Sequence, residues 1–285
     1  MSATQRISSS TDGIEPGMTK SEQPKVHHTN LAHSHSAGMT ISPELFEKLY
    51  LQPKVPQYAR FANPTPMGLT GFVISTFTFS MILMGWGGAS GFPAVVGIFF
   101  FVGPLMLTLA AIFNWIMGNF YPMMATSLFA VFWLSFGMLQ LPTLGLAAYY
   151  SSDGTNATEG AQSSGYNTVI GLYCIVWGFA FLTYLIFALK TNVVFAGIFF
   201  LATAAVWTLA GAYFSTATGA YTTAGNCQIA AGALLFVVSI LGWWIVVAMM
   251  AAEMGIGFNI PIGDLSHYWA DTKPAAAVHD VEKQE

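Results

Sequence analysis

The chain has 285 residues, 54 % of them hydrophobic and only 8 % charged, with a formal net charge of −4. A soluble globular domain carries about 25 % charged residues, so there is too little polar surface here to face water on every side. The sparse charges lie almost wholly in the two ends and imply neither an acidic nor a basic partner, and no basic stripe marks a nucleic-acid footprint.

Residues 1–60 are rich in Ser, Thr, His, Pro and charge and cannot bury a core, so a largely disordered tail is expected. One stretch differs, Ser42-Pro43-Glu44-Leu45-Phe46-Glu47-Lys48-Leu49-Tyr50. Ser42 suits an N-cap, Pro43 the first helical position, and Glu44 and Glu47 the positive end of a helix dipole. A short amphipathic helix is predicted near 43–50, lying on the membrane surface or on the protein body. No apolar core of a signal peptide is visible in the tail.

From Phe61 to Ser152, and again from Thr191 to Ala252, there is no Asp, Glu, Lys or Arg. Dividing these stretches at Gly, Pro and Asn clusters gives spans at 68–88, 93–116, 121–141, 166–189, 193–214 and 227–250. Each reaches about 20 residues, enough to cross a hydrocarbon core of roughly 30 Å as a helix. A β-barrel would show alternating polarity instead, and helices satisfy their own backbone in lipid. The expected fold is therefore an all-α membrane protein. It comprises a six-helix transmembrane domain over 61–255, the N-terminal tail, and a C-terminal tail over 256–285.

Six crossings return the chain to its starting side. Every Lys and Arg then lies on that side, including Lys48, Lys54, Arg60, Lys190, Lys273 and Lys283, while the loop after span 3 carries Asp153 and Glu159. The positive-inside rule predicts cytoplasmic tails. The sequon Asn156-Ala157-Thr158 falls in the outer loop as a glycosylation candidate. Cys174 and Cys227 are expected as free thiols. Ala94–Phe100 at the head of span 2 echoes Val193–Phe200 at the head of span 5, an offset that suits a 3+3 repeat. Close helix packing is expected at Gly68, Gly71, Gly85, Gly87, Gly88, Gly171, Gly178 and Gly232.

Asn63-Pro64-Thr65-Pro66-Met67-Gly68-Leu69 stands at the mouth of span 1. Two prolines two apart remove two donors and predict an extended or broken approach to the membrane, with free backbone groups and Asn63 lining a cavity. This motif resembles that of the acetate uptake transporter family, which includes fungal acetate/ammonia transporters and the bacterial succinate–acetate permease. Further matches follow in order: Gly118-Asn119, Phe132-Trp133-Leu134, Leu141-Pro142-Thr143-Leu144-Gly145-Leu146, Tyr173, Trp177-Gly178, Leu189-Lys190 and Ile260-Pro261-Ile262-Gly263-Asp264. The likeness covers about residues 62–265, and the long polar N-terminus is similar to that of fungal members.

The chain also departs from the family pattern. Asn114 stands where the family usually has a glutamate, and Asn119-Phe120-Tyr121-Pro122-Met123-Met124-Ala125-Thr126 replaces a more polar run. The resemblance implies a narrow apolar constriction made by Phe72, by Phe129 in place of a tyrosine, and by the region of Ala202 in place of a leucine. It also implies a homo-oligomer, the hexamer of the family, with one path per subunit.

No Asp, Glu or His lies inside the six spans; the histidines are His27, His28, His33, His35, His267 and His279. A buried acid or His is the usual proton relay of a coupled transporter. Two mechanisms remain open: a channel or uniporter, or a proton carried on the substrate as an undissociated weak acid. The predicted path residues are Asn63, Pro64, Pro66, Gly68, Leu69, Phe72, Asn114, Asn119, Thr126, Phe129, Gln140 and Ala202. Amides inside a membrane need partners, which singles out Asn63, Asn114 and Gln140, and Thr70, Ser75, Thr76, Thr203 and Thr208 add hydroxyls. The resemblance implies transport of a small monocarboxylate, acetate foremost, in the plasma membrane. An ammonia or ammonium pathway and a non-transporting acid sensor are the alternatives. No catalytic acid–base pair or metal-ligand cluster occurs in the spans, so neither an enzyme nor a cofactor is expected.

Overall fold

The computed structural model describes residues 61–257 and 260–269. The expectations for the tails over 1–60, including the helix near 43–50, and over 270–285 lie outside the described residues. Six long helices carry the fold: α1 (Thr65–Leu83), α2 (Gly103–Ile116), α3 (Phe120–Leu139), α4 (Ser164–Ala188), α5 (Val193–Ala217) and α6 (Tyr221–Glu253). With the 3-10 segment Pro93–Phe99 leading into α2, each of the six crossings is long and apolar enough to span a membrane. Among the described residues no strand forms; one isolated bridge joins Asn192 and Asp264. This is a multi-pass α-helical membrane protein.

Local chemistry sets the boundaries. The prolines at the first mouth do not break the chain, contrary to the sequence expectation. Helix α1 starts at Thr65 with Pro66 in its first turn, where a missing N–H costs nothing. Span 1 also ends at Leu83 rather than 88, because Gly85, Gly87 and Gly88 take left-handed φ of 70°, 62° and 80°. These three glycines therefore make a turn, not the expected helix contact. Asn192 caps α5 by accepting from Phe195 N at 2.8 Å, and Ser163 caps α4 by accepting from Tyr166 N at 3.2 Å. Helix α6 runs 33 residues, about 50 Å at 1.5 Å per residue, and overshoots the predicted span at both ends.

Helix α1 packs between α2 and α6, α2 packs on α3, and α5 packs between α4 and α6. Side chains close the ring between α3 and α4: the Phe132 and Trp177 rings lie 5.1 Å apart, and Ser135 Oγ meets Tyr173 Oη at 2.7 Å. The neighbour relations thus repeat three helices on, pairing 1–2 with 4–5, 2–3 with 5–6 and 1–6 with 3–4. Glycine allows the closest approaches. A Cβ on Gly71 would stand 2.8 Å from Val102 O, and one on Gly178 would run into the Trp207 indole.

Outside the ring, the loop after α3 folds on itself. Asp153 accepts from Thr155 Oγ1 (2.7 Å) and N (2.9 Å), Ser151 Oγ (3.0 Å) and Asn156 N (3.1 Å). These bonds, Thr155's first, hold its carboxyl well below the usual carboxylate range. At the other side the chain after α6 is pinned across the α4–α5 turn. Val193 N donates to Gly263 O (2.7 Å), Leu265 N to Thr191 O (3.0 Å) and Trp269 Nε1 to Leu189 O (2.9 Å).

Candidate permeation path

Phe72, Thr76 and Phe79 recur at helical spacing on one face of α1, and Phe129, Phe132, Trp133 and Phe136 do the same on α3. Both faces turn inward, and all seven side chains are buried. The Phe72 and Phe129 rings approach to 4.4 Å between centroids, and Phe199 stacks on Phe129 at 5.3 Å. Phe181 of α4 closes the fourth side at 5.5 Å from Phe129. Together these rings make an apolar constriction near the middle of the bundle.

Above the constriction, toward the loop side, lies a cavity of about 30 Å³. Phe72, Thr76, Phe129, Trp133, Ala202 and Val206 are among the residues that line it. That volume holds about two waters. Phe79 and Leu209 separate it from a second cavity of about 110 Å³, walled on its polar side by Asn167, Tyr213, Thr216 and Gln228. The small cavity shares Phe72, Phe129 and Phe181 with the constriction and Phe79 and Leu209 with the larger cavity, so the three are neighbours within the ring.

On the opposite side sits a buried polar cluster. Asn114 Oδ1 accepts from Thr65 Oγ1 at 3.2 Å and from Asn119 Nδ2 at 3.1 Å. Thr65, Asn114 and Asn119 are 1 %, 0 % and 7 % exposed, and Asn114 Nδ2 has no partner. Asn63 is spent locally, accepting from Thr65 N at 3.0 Å.

Hydroxyl groups inside the bundle mostly turn back on their own helix. Thr76 donates to Phe72 O, Thr126 to Pro122 O and Thr203 to Phe199 O, each at 2.7 Å. Their protons are engaged, which leaves their oxygens only as acceptors toward anything that passes.

The structure gathers most of the sequence-predicted residues. Phe72, Phe129 and Ala202 meet at the constriction and small cavity. Gly68, Leu69 and Thr126 lie buried beneath them; a Cβ on Gly68 would stand 3.3 Å from Thr126 Cγ2. Asn63, Pro64 and Pro66 sit at the mouth beside the asparagine cluster. Gln140 does not join them: it is the half-buried C-cap residue of α3, at the far end of that helix from Asn119. Sequence reasoning did not single out Phe181, Phe199, Leu209 or the polar residues of the larger cavity, which the structure places beside the predicted ones. Phe79 and Trp133 were within reach, since each follows a predicted residue at a helical step of seven or four.

The sequence carries the same information at the level of the whole chain: residues 48–267 match the GPR1/FUN34/yaaH family. The chain belongs to that family. Among relatives of the GPR1/FUN34/yaaH group, protein alcS of Aspergillus fumigatus is 36 % identical over 81 % of this chain and 87 % of its own length. Acetate transporter protein patA of Aspergillus clavatus is 30 % identical over 75 % of this chain and 83 % of its own. A solved structure, that of the bacterial acetate channel SatP, superposes with a TM-score of 0.53 and 22 % identity, covering 72 % of this chain and 100 % of SatP. At that identity the likeness speaks for the shared six-helix fold.

Proposed function

We propose that this protein conducts small monocarboxylates, acetate or acetic acid foremost, along the cavities within its helix ring. The observation that carries the proposal is a constriction and small cavity walled mostly by aromatic and aliphatic side chains, with no Asp, Glu, Lys, Arg or His among the residues that line it. Moving a bare anion through such a constriction costs on the order of tens of kcal/mol if no dipole offsets it. A neutral acid carries its own proton and avoids that cost, so no protein relay is needed. Kinship with a protein named an acetate transporter supports the substrate class. Phe72 and Phe129 form the constriction, Ala202 widens the wall beside it, and the Thr65–Asn114–Asn119 cluster marks the tail-side mouth. Gly68, Leu69 and Thr126 shape the packing below the rings, with Asn63, Pro64 and Pro66 framing the mouth.

The charge pattern supports cytoplasmic tails in a plasma-membrane protein, with Asn156 in an outer loop where a glycan fits. Exposed apolar side chains on α2, among them Leu105, Ile112 and Trp115, suit lipid or the neighbouring copies of a homo-oligomer such as the hexamer implied by resemblance. The test is uptake of labelled acetate into liposomes holding the purified protein. Uptake well above empty liposomes, rising as pH falls and more acid is undissociated, is the expected result. Ammonium flux indifferent to acetate would give the path to ammonia instead, and acetate binding without flux would mark a sensor.

A further inference from the structure

One polar group beside the small cavity has no partner. Trp133 is 2 % exposed and lines that cavity, yet its indole N–H meets no acceptor. Three other indoles in the molecule show the ordinary outcome: Trp207 donates to Ile175 O at 3.2 Å, Trp244 to Pro261 O at 2.9 Å and Trp269 to Leu189 O at 2.9 Å. A buried N–H without an acceptor is a costly arrangement that calls for an explanation.

The surroundings point to an acceptor that comes and goes. The pyrrole edge of Trp133 lies against Gly103: a Cβ there would stand 3.4 Å from Trp133 Cδ1 and 2.7 Å from Ser75 Oγ. Gly103 is also the first residue of α2, so its N–H is among those with no partner inside the helix, at the positive end of the helix dipole. This helix end falls within the second apolar crossing, which is interrupted between Phe99 and Gly103. The hydroxyl protons nearby are already spent, Thr76 on Phe72 O at 2.7 Å and Ser75 on Ile98 O at 3.2 Å.

We propose that Trp133 Nε1–H is the hydrogen-bond station for the permeant, donating to the carboxyl oxygen of a small acid whose alkyl end lies among Phe72, Phe79 and Phe129. This assignment rests on the monocarboxylate reading above. An indole is a donor only. It suits the oxygen of a carboxylic acid and offers nothing to ammonium, which also only donates. Trp133 therefore acts as a specificity-determining residue, while the rings around it set size.

The test uses the full chain in liposomes, comparing wild type with Trp133→Phe, which keeps an aromatic ring and removes the donor. Labelled acetate uptake falls on the order of fivefold to tenfold, the worth of one neutral hydrogen bond, while labelled methylammonium uptake is unchanged. Unchanged acetate uptake in a monodisperse variant overturns the assignment, and so does an equal loss of both fluxes, which would mean a structural role. A wild type that moves no acetate sinks the monocarboxylate reading instead, a distinguishable failure. Should Trp133→Phe prove aggregated, the wild type with benzothienylalanine at 133, sulfur replacing N–H, takes its place. In 15N-indole spectra of the wild type, the resonance that this replacement removes shifts on titration with acetic acid. No shift, as expected for a permanently bound water, overturns the proposal.

Discussion

The second and fifth crossings open on nearly the same residues and fold differently. Val95-Val96-Gly97-Ile98-Phe99 lies in a 3-10 segment that ends at Phe100, before α2, while Val194-Phe195-Ala196-Gly197-Ile198-Phe199-Phe200 is continuous α-helix. The difference follows from what comes next. Pro104 has no N–H for Phe100 O, and its ring crowds that carbonyl; α5 has no proline in its 25 residues and starts on the Asn192 cap. Yet Phe99 and Phe199 are both fully buried. Phe99 joins Phe79, Trp133 and Phe136, and Phe199 joins Phe129, Phe181 and Tyr184. One aromatic position thus serves both halves, and the break in the first half is what lets Gly103 meet Ser75 and Trp133.

The largest effects should come from the rings. Phe72→Ala and Phe99→Ala each remove a fully buried phenyl and should cost about 3–5 kcal/mol in stability, read by thermal unfolding in detergent. Only Phe72→Ala should relax size selectivity, admitting acids larger than acetate, because Phe99 does not line the small cavity. Equal selectivity in the two variants would make Phe72 a packing residue and erase the distinction.

Next come the close approaches. Gly71→Ala drives a methyl against the Val102 carbonyl and Met106, whereas Gly178→Ala drives it against a side chain, Trp207. The Trp207 indole is half-buried and its N–H is held by Ile175 O at 3.2 Å, and a Cβ on Gly178 falls inside the ring, so the deeper clash is at Gly178. Both variants should lose about 1–3 kcal/mol or more, Gly178→Ala the larger amount by thermal unfolding in detergent; a smaller loss there than for Gly71→Ala would mean that the indole yields more readily than the broken segment.

A third variant, Asn114→Glu, places beside Thr65 and Asn119 the acid that the resemblance implies for this position. Uptake by the wild type should track only the undissociated fraction of the substrate. The variant should add a pH dependence of its own, seen by comparing uptake across pH at a fixed concentration of undissociated acid. Identical profiles would mean that the asparagine cluster stands off the path. The smallest effect belongs to Pro104→Ala. It supplies the missing donor at the break, and should slow amide exchange over residues 101–105 with a stability change under about 1 kcal/mol. Unaltered exchange would place the cause of the break in the packing of Phe99 rather than in the proline.

Much of the fold was legible because hydrocarbon length and charge depletion act along the sequence, so six crossings could be counted from Arg60, Asp153, Lys190 and Glu253. The boundaries that failed were those set by backbone exceptions. Pro66 sits harmlessly in a first turn, and Gly85, Gly87 and Gly88 end α1 early, facts that composition does not encode. At the site, Phe72 and Phe129 were legible through the family pattern. Phe181 and Phe199 were not, because in a chain with 23 Phe only three-dimensional packing separates rings buried at the constriction from rings exposed on the outside of the bundle. Gln140 lies at the far end of α3 from Asn119, where an amide near a helix end can reach the interface and need not find an internal partner.

The central claim is that acetate or acetic acid crosses through the ring-lined cavity between α1, α3 and α5. Ala202 is 3 % exposed and lines that cavity, so Ala202→Phe fills it. Labelled acetate uptake into liposomes should stand well above background for wild type and fall to background for Ala202→Phe in folded, reconstituted form. Full uptake by the plugged variant would contradict the account.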